Sequence, residues 1–138
     1  MTTENFLEGV KQFNQREFYA CHDTLEAIWI KAIDIDKHFY QGILQISVGC
    51  YHLVNNNWHG AVTLLGEGIR KLHDYQPSYK NVDISCLLEE SEKLLMHLQN
   101  IDPDNISESS AVLVASASYS PCKLPYITIV SQHKLEFS

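Results

Sequence analysis

The sequence predicts an all-α fold: a compact antiparallel helical bundle of about five helices, followed by an extended C-terminal tail. Three observations lead there. Apolar residues recur at spacings of three and four along five successive stretches. The breaks between those stretches are short and rich in Asn, Asp and Pro. The chain has 138 residues, of which 45% are hydrophobic and 20% charged, which suits one ordinary globular domain.

Taken in order, Phe6, Val10 and Phe13 give a short first helix ending near Asn14-Gln15. A second helix, from about Arg16 to Ala32, carries a broad apolar stripe of Phe18, Tyr19, Leu25, Ile28, Trp29 and Ala32. Asp34-Ile35-Asp36 breaks the chain, and Asp36 is the expected N-cap of the third helix, because its carboxylate can accept from free amides of the first turn. That helix, Lys37 to Val54, is apolar on nearly all sides and therefore belongs at the centre. Asn55-Asn56-Asn57 ends it. The fourth helix runs from Trp58 to about Tyr75, and Gly60, Gly66 and Gly68 within it each cost about 1 kcal/mol of helix propensity. Close backbone packing is the expected compensation. Gln76-Pro77 closes this helix, since the residue before proline is pushed out of the helical region. Asp83 then caps a fifth helix to about Gln99, with Leu87, Leu88, Leu94 and Leu98 on its buried side.

This organisation divides the chain into an all-α domain over 1–100, a Ser-rich linker over 101–123 and an extended tail over 124–138. Ser107, Ser109, Ser110, Ser116, Ser118 and Ser120 mark the linker. The β-branched tail reads as a single strand, and a lone strand needs a partner. It is expected to pack on the domain or on a second copy, so a homo-oligomer is the expected assembly.

Charge excludes several function classes. The formal net charge is −7, with 8 basic against 13 acidic residues up to position 100 and 2 against 4 beyond it. Nucleic-acid affinity comes largely from Lys and Arg neutralising phosphates, and that footprint is missing here. A polybasic lipid-binding segment is missing too. From Phe39 to Gly66 no Asp, Glu, Lys or Arg occurs, yet Gln41, Gln45, His52 and three asparagines interrupt the run well short of the ~20 apolar residues a spanning helix needs. No membrane association is expected. The start, Met1-Thr2-Thr3-Glu4-Asn5, has neither the basic nor the apolar region of a secretory signal. Cys21, Cys50, Cys86 and Cys122 form no C-x-x-C pair, so a zinc ribbon and a redox pair are excluded and a reducing cytoplasmic setting is expected. Phosphate loops, H-E-x-x-H and G-x-S-x-G are absent from the sequence.

One polar stripe stands out. His22 and Glu26 are four apart on the second helix, with Asp23 beside them and Trp29 continuing the face. On the third helix Gln41, Gln45 and His52 share one face. A short turn near Asp34 makes the two helices antiparallel, pairing positions whose numbers sum to roughly 68–70 if both rise uniformly. Glu26 then falls opposite residue 43, and His22 opposite residue 47. A buried carboxylate must be bonded, coordinated or protonated, which gives three readings. The first is a closed hydrogen-bond network that fixes helix register. The second is a divalent metal held by His22, Glu26 and His52. The third is Glu26 as an acid or base partnered by His22.

The same residues resemble a known family. Phe18-Tyr19-Ala20-Cys21-His22-Asp23-Thr24-Leu25-Glu26-Ala27-Ile28-Trp29 is similar to the F-Y-x-x-H-[DE]-x-L-E-x-x-W signature of domain of unknown function 309. Gln41-Gly42-Ile43-Leu44-Gln45 and Asn57-Trp58-His59-Gly60-Ala61 resemble its later segments, and the resemblance extends over about residues 6–98. It implies a compact all-α domain and carries no activity. Two function classes stand on this sequence: a helical scaffold or partner-binding domain with a buried polar network, and a metal-dependent or acid/base enzyme acting on a small molecule.

Overall fold

The computed structural model describes residues 2–115 and 123–130. Its elements run α1 (Thr2–Asn14), α2 (Phe18–Lys31), α3 (Asp34–Val54), α4 (Trp58–Leu72), a 3₁₀ turn (His73–Tyr75), β1 (Ser78–Tyr79), β2 (Val82–Asp83), α5 (Ile84–Gln99), a second 3₁₀ turn (Pro103–Asn105) and α6 (Ile106–Ala115). The fold is all-α; its sheet is a two-stranded antiparallel hairpin pairing Ser78 with Asp83 and Tyr79 with Val82. Among the described residues no helix is long and apolar enough to cross a membrane.

α3 lies at the centre, against α2, α4 and α6, and buries Phe39, Ile43, Ile46, Cys50 and Leu53 completely. Its two main seams are built differently. Toward α4 the helices approach through glycine: a Cβ on Gly68 would lie 2.7 Å from the Gly42 carbonyl oxygen, and one on Gly49 would lie 3.0 Å from the Leu65 backbone nitrogen. Gly68, which weakens α4 as an isolated helix, thus permits a close backbone crossing with α3, whereas a Cβ on Gly66 would meet nothing within 4 Å and Gly66 plays no part in it. Toward α2 the seam is made by side chains. Phe18, Cys21, Leu25 and Ile28 follow a 3-4-3 spacing and are all buried.

Local chemistry sets the ends. Asn57 accepts from Gly60 N–H at 3.0 Å as the N-cap of α4, and Asp83 accepts from Cys86 N–H at 2.9 Å as the N-cap of α5. Asn56 turns the chain with φ 63°, a left-handed conformation asparagine tolerates well.

Two expectations are corrected. α3 begins at Asp34, not after Asp36, because the extended Ile33 already serves as its N-cap. Asp36 is freed for tertiary contacts: it accepts from the Tyr79 hydroxyl at 2.6 Å and pairs with Lys80 at 3.3 Å. The stretch expected as a Ser-rich linker over 101–123 contains α6. Ile106, Ser110 and Leu113 face the domain at a 4-3 spacing, and α6 packs on α3, while Ser107 stays exposed. Serine composition masked that helical period. Residues 116–122 and 131–138 lie outside the described residues. Between them, 124–130 run extended beside β2, with Asp83 N–H donating to Thr128 O at 2.9 Å and Val130 N–H donating to Asn81 O at 2.6 Å.

Candidate functional site

The buried stripe of α2 is Phe18, Cys21, Leu25 and Ile28, and a helix turns about 100° per residue. His22, Asp23 and Glu26 are therefore rotated out of the seam toward solvent. His22 is 29% and Asp23 62% exposed in their side chains, and Nδ1 of His22 lies 3.3 Å from Oδ1 of Asp23. One ligand atom from each of His22, Asp23 and Glu26 lies within 4.8 Å of the other two. Water can solvate Glu26, so this carboxylate does not require a buried partner.

α3 presents other groups to this seam. Ser47 Oγ donates to the Phe18 carbonyl at 3.1 Å, and the Cys21 thiol, hydrogen-bonded to Ser47, is pushed up to about 11 by burial. Cys50, wholly buried, is pushed up to about 12 for the same reason. The Cys21–Ser47 pair sums to 68, so the antiparallel register follows from the turn as read. Helix rotation is what differs, because the apolar face of α2 captures the seam.

Gln45 and His52 lie instead on the α4 side of α3, the side that carries Gly42 and Gly49. Gln45 Nε2 donates to Glu67 Oε1 at 3.3 Å, and its own Oε1 is buried without a hydrogen-bond partner among the described residues. His52 Nδ1 lies 3.2 Å from Asn57 Nδ2, and its ring sits over Gly60, where a Cβ would come within 2.7 Å. A line of ring contacts from His22 to Tyr19 (6.2 Å), Tyr51 (5.6 Å) and His52 (6.1 Å) separates the two imidazoles by two tyrosines. The structure thus brings His22, Glu26 and Asp23 together and leaves His52 out. Gln41 is half-buried. Trp29 is held by Lys37, whose Nζ donates to the Trp29 carbonyl at 2.9 Å and lies 5.5 Å from the ring centroid, while its indole Nε1 is buried without a partner among the described residues.

The largest set of side chains aimed at main-chain groups is elsewhere, around the tail. Asn14 donates through Nδ2 to Ile127 O (2.9 Å) and accepts at Oδ1 from Ile127 N–H (2.8 Å), so one amide reads both sides of a peptide residue. Arg16 donates to Pro125 O at 2.8 Å, with its backbone at φ 68°. Glu90 accepts from Tyr126 N–H at 2.9 Å and pairs with Lys123 at 2.9 Å. Leu124, Pro125 and Ile127 are buried, whereas Tyr126, Thr128 and Ile129 are exposed. Sequence reasoning missed Asn14, Arg16 and Glu90. The available signal was local: an Asn-Gln-Arg-Glu turn too polar for the apolar helices on both sides of it.

Residues 6–64 match one family model, described as Domain of unknown function (DUF309). The match takes in α1 to α3 and the first part of α4 and stops short of the 6–98 suggested by the resemblance. No curated protein matches, and no solved structure matches.

Proposed function

We propose that this chain, which through residues 6–64 belongs to the DUF309 family, is a helical partner-binding domain whose groove takes an extended segment along β2 and the α1–α2 turn. The family description carries no activity, so the reading rests on geometry. The observation that carries it is the recognition of 125–130 through main-chain groups. Six hydrogen bonds to that backbone come from Asn14, Arg16, Glu90, Asp83 of β2 and Asn81 just before it. Recognition of this kind is indifferent to exposed side chains and selects the buried ones, which is how added-strand binding sites work.

The energetics support exchange of the occupant. Net gains of about 1 kcal/mol per hydrogen bond and about 2 kcal/mol per buried Leu, Pro or Ile side chain stand against about 1.5 kcal/mol of ordering per residue. For a segment this short the two sides nearly cancel. A groove so balanced can release its own tail to a competing segment, from a partner protein or a second copy. In this reading the polar residues of α3 are structural, with Gln45–Glu67 and His52–Asn57 joining α3 to α4. Free buried Cys21 and Cys50 favour a reducing compartment such as the cytoplasm.

A fluorescent peptide with the sequence of residues 123–130 tests the reading. It is expected to bind the full chain weakly and the full-length Ile127→Asp variant more tightly, because the attached tail then vacates the groove. Adding Asn14→Ala should abolish that gain. Equal, negligible binding to all three proteins would reject the groove.

The proximity of His22, Asp23 and Glu26 favours a second reading, an exposed divalent-cation site with one nitrogen and two carboxylate ligands and water completing the shell. Calorimetric titration of the untagged chain with zinc chloride should then give one site, lost in His22→Ala and retained in His52→Ala. Loss in both variants, or in neither, would contradict it.

A further inference from the structure

A second concavity, which shares no lining residue with the tail groove, opens among α1, α2, the start of α3 and the β1–β2 turn. It has a volume of about 510 Å³, within the range of small-molecule sites. Its lining carries two chemistries. Ala27, Ala32 and Ile33 are aliphatic, while Lys31, Lys80, Asp36 and Tyr40 are polar or charged, with Asn5 and Thr24 beside them.

The charged part of the lining has two ammonium groups to one carboxylate. Asp36 is already occupied, by the Tyr79 hydroxyl at 2.6 Å and by Lys80 at 3.3 Å. Lys31 has no ion-pair partner among the described residues, so two lysines face one carboxylate and the cleft carries a local positive excess in a chain of net charge −7. Tyr40 is the decisive group. It is only 2% exposed and lines the cleft, yet its hydroxyl makes no hydrogen bond among the described residues. Burial and the nearby Asp36 charge raise its pKa, so the hydroxyl keeps its proton and remains a donor. An anchored, unused donor beside two ammonium groups donates to an oxyanion, and the aliphatic part of the lining accommodates an apolar body.

We infer that this cleft binds a small amphipathic molecule with one anionic head group, a carboxylate or a phosphate monoester, held by Tyr40, Lys31 and Lys80 with its apolar part against Ala27, Ala32 and Ile33. A cationic ligand is disfavoured by the two lysines, and a wholly apolar one leaves the Tyr40 hydroxyl unmatched. This site is independent of the tail groove and stands or falls separately.

The test is a nuclear magnetic resonance titration of the full chain with phenylacetate, phenyl phosphate, phenethyl alcohol and phenethylamine. At least one of the two anions should shift the amides of Ala27, Lys31, Ile33, Tyr40 and Lys80, and bind about tenfold more tightly than the alcohol, as a charge-assisted hydrogen bond would give. The better anion names the head group. Tyr40→Phe and Lys31→Met should each weaken that anion about threefold to tenfold without changing the melting temperature, since neither removes a hydrogen bond or ion pair internal to the fold. The proposal is overturned if neither anion binds at millimolar concentration, if the amine binds as well as the acid, if the shifts fall outside the cleft, or if both variants bind undiminished.

Discussion

The two seams of α3 put similar-looking polar residues to opposite uses. On the α4 side glycine lets backbones approach closely, and Gln45 and His52 are drawn into contact with Glu67 and Asn57. On the α2 side branched and aromatic side chains fill the gap, and His22, Asp23 and Glu26 are left facing water. A polar residue beside a glycine crossing becomes part of the packing. One flanking an apolar stripe stays available to solvent and ligands.

The largest expected effect breaks the glycine seam. Gly68→Ala puts a Cβ 2.7 Å from the Gly42 carbonyl oxygen and 2.9 Å from the Ile46 nitrogen, both backbone atoms that cannot swing aside. Stability should fall by about 3 kcal/mol, the upper part of the overpacking range. Gly66, two residues away in the same helix, has nothing within 4 Å of its would-be Cβ. Gly66→Ala should raise stability by roughly 0.5–1 kcal/mol through helix propensity alone. Urea unfolding of the two variants checks both signs, and a loss at Gly66 equal to that at Gly68 would contradict the packing account.

The α2 seam is sharpened by alkaline pH. Unfolding exposes Cys21 and Cys50 to water, where thiols ionise near their ordinary 9.0, whereas in the fold they hold their protons to about 11 and about 12. Between pH 9 and 11 the native state therefore binds more protons than the unfolded state, and stability falls as pH rises through that window. Each thiol contributes a slope of about 1.4 kcal/mol per pH unit. Tyr79, raised to about 12 chiefly by its hydrogen bond to Asp36, adds to the loss in the same direction. Cys50→Ala should flatten the fall between pH 9 and 11 relative to the parent; an unchanged slope would show that the thiols ionise freely in the fold.

How much of this was legible follows from the physics of each element. Apolar period located α1 to α5, and Asp83 caps α5 as read, because those signals are local; Asn57, read only as part of the end of α3, caps α4 as well. The helix–helix register was legible too, since antiparallel rods joined by a short turn leave it little freedom, and Cys21 meets Ser47 accordingly. Rotation about the α2 axis was not. It depends on which of two adjoining stripes gains more by burial, and Phe18-Cys21-Leu25-Ile28 outweighs His22-Glu26. α6 was hidden by serine composition, although Ile106, Ser110 and Leu113 keep a helical period. The polar turn at 14–17 could mark one side of the tail groove, but its pairing with the tail was illegible because Asn14 and Ile127 lie 113 residues apart.

The smallest effects divide the polar residues themselves. Gln45→Ala removes a side chain that is only 9% exposed, and with it the bond to Glu67. The loss should be about 1–2 kcal/mol, moderated because Gln45 Oε1 has no partner among the described residues to leave stranded. Glu26→Ala and His22→Ala should each change stability by less than about 0.5 kcal/mol, the range of solvated positions. Thermal unfolding of the three variants under one buffer measures the gap. If Glu26→Ala costs as much as Gln45→Ala, then α2 turns its acid inward in solution and the contrast between the seams is false. A gap of about 1 kcal/mol or more leaves the α2 triad free of structural duty, so any loss of zinc binding on its removal reports ligation and not unfolding.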